Sequence, residues 1–222
     1  MYLRKEDLDL VLVPAGLLMM LTCHLFLLYR YLNLPQTTAL GFDNHNRRAW
    51  VGRIVLNRNK DTTGAAVSVI SSHITAATVL STISILLISL IGAWLQSSSN
   101  NVFQSKLILG DTRPTTMSIK YISLLVCFLL AFSCFVQSIS YSVSANYLIS
   151  IPESNIPLEF AETAVIKGSE FWSLGLRALC FAYNLLLWFL GPIPMFISSI
   201  ALVIILHHFD TNQTPLHHYS SA

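Results

Sequence analysis

FWSLGLRALCFAYNLLLWFLGPIPMFISSIALVIILHHFD, residues 171–210, holds one strong base, Arg177, and no acid before its last position. As one helix it would measure about 60 Å, roughly twice the ~30 Å hydrocarbon core of a bilayer. Either part of it stands outside the membrane, or the chain turns back at Gly191-Pro192-Ile193-Pro194. A returning arm counted from Met195 to His208 reaches only about 21 Å, short for a crossing. The expectation is therefore one proline-kinked span with an extension beyond the membrane. Pro192 and Pro194 remove the donors that would bond the carbonyls of Trp188 and Leu190. In a packed bundle such a kink shapes the helix; the alternative is that the freed carbonyls coordinate a cation or line a gate.

The rest of the chain has the same character. It is 54% apolar and 11% charged, with a mean hydropathy of +0.61, beyond the range of a soluble domain of this length. Its apolar residues concentrate at about 8–30, 74–96, 118–142 and 181–207. The reading is a single membrane domain over residues 1–222, an all-α bundle of four transmembrane helices. A net charge of +2, with no basic run interleaved with aromatics, excludes nucleic acid as a partner. The first apolar run is a retained span: Glu6, Asp7 and Asp9 interrupt its basic flank, and no small-residue cleavage pattern follows Leu28. Cys23, Cys127, Cys134 and Cys180 lie in or beside spans and behave as small hydrophobes, so no disulfide is expected.

Short-loop basic residues set the expected orientation. The loop over 31–63, with Arg30 at its border, carries Arg47, Arg48, Arg53, Arg58 and Lys60, and is assigned to the cytosol. With four spans the loop over 143–170, which carries Glu153, Glu159, Glu162 and Glu170, is also cytosolic. Both termini are then non-cytosolic, in the plasma membrane or the endomembrane system. Helix-compatible sequence extends span two back to Gly64, span three on to about Ile149 and span four back to about Gly168, all on this one side.

Helical periodicity places Glu170, Ser173, Arg177, Cys180, Asn184, Trp188 and Gly191 on one face, a polar seam suited to protein rather than lipid. Arg177 at the cytosolic boundary reads as a structural clamp for a loop glutamate or a lipid phosphate, with substrate binding as the alternative. Span three offers Cys127, Cys134, Gln137, Ser138 and Tyr141, and span two His73, Ala77 and Ser84, as packing surfaces. His24 is the titratable group deep in span one. Proton relay or metal ligation is weighed there against a hydrogen-bonded packing role, and packing is preferred. His207, His208, His217 and His218 fit no zinc spacing, and no metal or cofactor is assigned. Around Arg47, Arg48, Trp50 and Arg53 a short helix sets Trp50, Val51, Ile54 and Val55 to one side. It is expected to lie on anionic lipid, with contact to Glu153, Glu159 or Glu162 as the other use of its bases.

Four separated blocks carry a resemblance: Asp9-Leu10-Val11-Leu12-Val13-Pro14-Ala15-Gly16-Leu17; Arg47-Arg48-Ala49-Trp50; Phe171-Trp172-Ser173-Leu174-Gly175-Leu176-Arg177-Ala178; and Trp188 with Gly191-Pro192-Ile193-Pro194-Met195. In this order, over nearly the whole chain, they resemble the plant multi-pass membrane family of domain of unknown function 599. The resemblance implies a small membrane protein without an established activity. One departure is Leu179-Cys180-Phe181, where relatives often read aromatic. No HExxH, GxSxG, P-loop or paired intramembrane carboxylate is present, so an enzyme is not expected. The expectation is a non-enzymatic accessory or scaffold protein acting through lipids, anionic ones included, or through a membrane-protein partner or second copy. The alternative is an oligomeric small-solute or ion transporter or channel.

Overall fold

The computed structural model of the chain describes residues 5–56, 59–97, 113–151 and 157–212. Arg58, Glu153, His217 and His218 lie outside the described residues. The described chain is helical: α1 Lys5–Asn33, a single 3-10 turn Pro35–Thr37, α2 Ala39–Leu56, α3 Lys60–Ser97, α4 Pro114–Ser150, α5 Leu158–Trp188 and α6 Pro192–Asp210. All except α2 are long and apolar enough to cross a membrane, which makes five candidate spans rather than the expected four.

The difference lies at Gly191. The last turn of α5 tightens through 3-10 bonds, Phe189 N to Leu186 O and Leu190 N to Leu187 O, at 3.1 and 3.0 Å. Gly191 then takes φ 140° and ψ 169°, a conformation open only to glycine, and reverses the chain. Pro192 is the first residue of α6, where its missing N–H has no intrahelical acceptor to lose and its fixed φ suits the helix. Gly191, Pro192 and Pro194 are therefore a stop followed by a start, not a kink in one span. Counted from Pro192, α6 has 19 residues, about 28 Å, enough to cross.

Neighbours in space run α3, α4, α5, α6, α1, with α6 seated between α5 and α1. The hairpin is antiparallel, so Asp210 at the end of α6 lies level with Arg177 and Asn184 level with Ser199. Residues Leu158 to about Ser173 of α5 thus rise past the end of α6. The first turns of α3 and the last turns of α4 rise with them, as the sequence led one to expect. This upper level has its own core, with Val51 and Ile54 of α2 packed on Ala66, Ile70, Ala145 and Val165. The membrane-level core contains Val13, Leu124, Phe128, Leu185, Trp188 and Met195. Gly175 lets α4 and α5 close up there: a Cβ added to it would stand 2.7 Å from Cε1 of Phe135, too close for the ring to stay in place.

Two further expectations change. Trp50, Val51, Ile54 and Val55 do share a face of α2, but that face packs on the α3, α4 and α5 extensions and not on lipid. The extensions supply a protein surface to cover, and burial there removes the same apolar area from water as the bilayer interface would. The chain ends also separate. Asp9 of α1 lies beside Trp188, and Thr211 after α6 pairs with Thr38 at the opposite end of the bundle. With five candidate spans among the described residues, the four-span argument for termini on one side no longer holds.

Candidate functional site

The polar residues of α5 are distributed along its length and reach α1 and α6 at four heights. Lowest, Trp188 Nε1 donates to Asp9 Oδ1 at 3.1 Å, and Lys120 Nζ donates to Trp188 O at 3.2 Å while standing 5.1 Å from the indole centre. Lys120 is 1% exposed. The carbonyl that Pro192 leaves without an α-helical donor is thus occupied by an ammonium from the protein itself, together with Gly191 N at 3.1 Å. The sequence reading missed Asp9 and Lys120. Each stands at the edge of its apolar run, where a charge reads as a solvated flank.

Next, Asn184 is fully buried. Its Nδ2 donates to Ser199 Oγ at 2.8 Å and points at Met20 Sδ at 3.1 Å, and Ser198 Oγ donates to its Oδ1. This joins α1, α5 and α6 through neutral groups, each with a partner, the inexpensive way to hold polar atoms at membrane depth.

Above it, Arg177 Nη2 meets Asp210 Oδ2 at 2.5 Å. The partner of Arg177 is the acid that ends α6 and not a glutamate of the 143–170 segment. Asp210 lies within reach only because the chain turns back at Gly191.

Highest, Tyr31 OH donates to Glu170 Oε1 at 2.6 Å and accepts from Asn44 Nδ2 at 3.0 Å, while Lys167 Nζ holds Glu170 Oε2 at 2.8 Å. Because Tyr31 gives its only proton to the carboxylate, Asn44 must present its amide nitrogen. Asn44 Oδ1 is then a buried acceptor without a partner.

Glu170, Arg177, Asn184 and Trp188 therefore do form one seam. His24 lies beside it: Nδ1 donates to Met20 O at 2.8 Å, the ring centre is 4.7 Å from that of Phe181, and Nε2 is buried without a partner. Gln137 does not join its expected packing face, since it is exposed on α4 while Cys134 and Ser138 point inward. Ser138 Oγ instead donates to Gly168 O at 2.7 Å and lies 3.1 Å from His73 Nε2, joining α3, α4 and α5. On α2, Arg47 pairs with Asp43 at 2.6 Å, Arg48 and Arg53 are exposed, and Trp50 is partly buried.

Long side chains bridge α1 and α5 because the two backbones stand apart, and the gap is a cavity of about 450 Å³. Leu25, Leu28, Leu130, Leu174, Ala178 and Phe181 give it apolar walls, and Lys167, Glu170, Arg177 and Tyr31 line it too. A second cavity of about 400 Å³ shares Tyr31, Leu32 and Glu170 with the first and is otherwise lined by Pro35, Gln36, Gly41, Asn44, His45 and Arg48. Among the described residues no group of His, Cys, Asp or Glu is arranged to hold a metal.

Five apolar helices around interhelical polar ties define an integral membrane protein of the helical-bundle class. Within that class, the chain belongs to the family described as protein of unknown function, DUF599, whose model matches residues 11–215. No curated protein and no solved structure matches the chain.

Proposed function

We propose that this protein is a non-enzymatic accessory or scaffold protein of a cellular membrane, plasma membrane or endomembrane, that works through bilayer lipids. The observation that carries this is the apolar cavity between α1 and α5, which continues into a polar cavity at the level where α6 ends. A boundary of that kind matches an amphiphile better than a soluble substrate. The non-enzymatic part of the reading is supported by the engagement of Arg177, Glu170, Asn184 and Trp188 in ties between helices, which gives them a structural role. The α2 end, with Arg47, Arg48, Arg53 and Lys60, is assigned to the cytosol on its basic residues. That assignment puts Asp210 on the cytosolic side and Lys5 on the other.

The test is reconstitution into liposomes with a broad solute and ion flux screen, run beside lipid analysis of protein purified from native membranes. Retained lipid in stoichiometric amount without flux is the expected result. Flux abolished by Arg177→Ala would overturn the reading in favour of an oligomeric transporter.

A further inference from the structure

We infer that the two cavities are the tail and head compartments of one site for an anionic phospholipid. This rests on the reading that the protein works through lipids, and it names which lipid.

The lower compartment supplies the tail site. Along α5 its wall runs from Phe181 to Lys167, about 21 Å of helix, which is long enough for an acyl chain. Its volume of about 450 Å³ lies within the range of small-ligand pockets. Polarity is ordered along it: Phe181 and Ala178 lie deep, while Glu170 and Lys167 lie where the second cavity begins.

The upper compartment supplies the head site. Across the shared boundary stand two bases, Arg48 and Lys167, and one acid, Glu170. Arg177 does not alter this balance because Asp210 neutralises it. One positive charge remains, matched to a single phosphodiester, and a guanidinium holds such a group through paired donors. Lys167 is exposed, so its ammonium can turn from Glu170 toward an incoming phosphate without a burial cost.

The test uses full-length protein purified in mild detergent and stripped of lipid. It is titrated by native mass spectrometry with phosphatidylglycerol, with phosphatidylcholine of identical chains, and with glycerol 3-phosphate as a tail-less anion. Phosphatidylglycerol is expected to bind about ten-fold tighter than phosphatidylcholine, as one additional charge-assisted contact requires. Glycerol 3-phosphate should bind far more weakly than either. Arg48→Gln, at an exposed position, should bring the two lipids to similar affinity, and Leu174→Trp, which fills the tail compartment, should weaken both.

Equal affinity of parent protein for the two lipids, with both lost in Leu174→Trp, would overturn the head-group inference and leave lipid binding standing. A preference untouched by Arg48→Gln would overturn it as well, by placing the head elsewhere. Glycerol 3-phosphate binding as tightly as the lipid would make this a site for a soluble anion. Binding of neither lipid would remove the inference and the lipid reading together.

Discussion

Arg177 and Asp210 are 33 residues apart in the chain and meet at 2.5 Å, each side chain about one-fifth exposed, so that the far end of α6 is fastened to the middle of α5. Removing either partner strands the other in a poorly hydrated place, at a cost of up to about 3–5 kcal/mol. Arg177→Leu and Asp210→Leu should each lower thermal stability and monodispersity in mild detergent, and the double variant should lose less than the sum. Arg177→Lys should be intermediate, because it keeps the charge and loses the guanidinium geometry. Strict additivity would mean that the pair contributes nothing as a pair.

The hairpin at Gly191 is open to a second test. Alanine there must adopt φ 140°, at a cost of about 1–3 kcal/mol. Gly191→Ala should reduce folded yield, while the same change at Gly92, where a Cβ meets nothing within 4 Å, should not. Equal behaviour of the two variants would argue against the reversal.

If all five candidate spans cross, the chain ends lie on opposite sides of the membrane. A tag ahead of Lys5 and a tag after Asn212 should differ in accessibility, one labelled in intact cells and the other only after permeabilisation. Labelling of both under the same condition would restore an even number of spans.

Lys120 should be more sensitive than any exposed base. Lys120→Met retains volume but removes the ammonium from Trp188 O and from the indole face, leaving Asp9 and Trp188 to rearrange. The expected loss is about 3 kcal/mol or more, read as a lowered Tm, against almost none for Arg48→Gln. Near-parent stability of Lys120→Met would show the contact to be incidental.

Val51, fully buried beneath α2, distinguishes protein contact from lipid contact. Val51→Asp should release α2 and open the segment around Gly52 to limited proteolysis, whether or not anionic lipid is present. Protection that depends on anionic vesicles would favour the lipid-facing alternative.

Much of this was legible in the sequence because helical spacing is local. The face from Glu170 to Trp188 followed from periodicity, and the extensions of α3 and α4 from uninterrupted helix-compatible sequence, but α5 runs back to Leu158, ten residues beyond the expected Gly168. The partners on that face were not legible, since Asp210 for Arg177 and Asp9 for Trp188 depend on where α6 and α1 go. The path of α6 turned on Gly-Pro-x-Pro, which suits both a kink and a helix stop followed by a new start. A return arm bounded by Met195 and His208 is five residues shorter than the helix Pro192–Asp210, enough to favour the kink. The docking face of α2 was found correctly, but an amphipathic pattern says only that a face is covered, and lipid and protein cover it alike. Gln137 fell on an edge of its helical arc, where a small rotation decides between inside and outside.

The strap at the upper end, with Asn212 N on Thr37 O at 3.0 Å and Arg30 Nη2 on that same carbonyl at 3.0 Å, joins the corner after the first helix to residues just past the sixth. During synthesis α1 enters the membrane early, with Gly16 and Met20 facing a neighbour that the ribosome has yet to make. Until α6 is made, Asn184 lacks both of its serines. Assembly of the bundle therefore finishes where it began, when the last helix closes on the first.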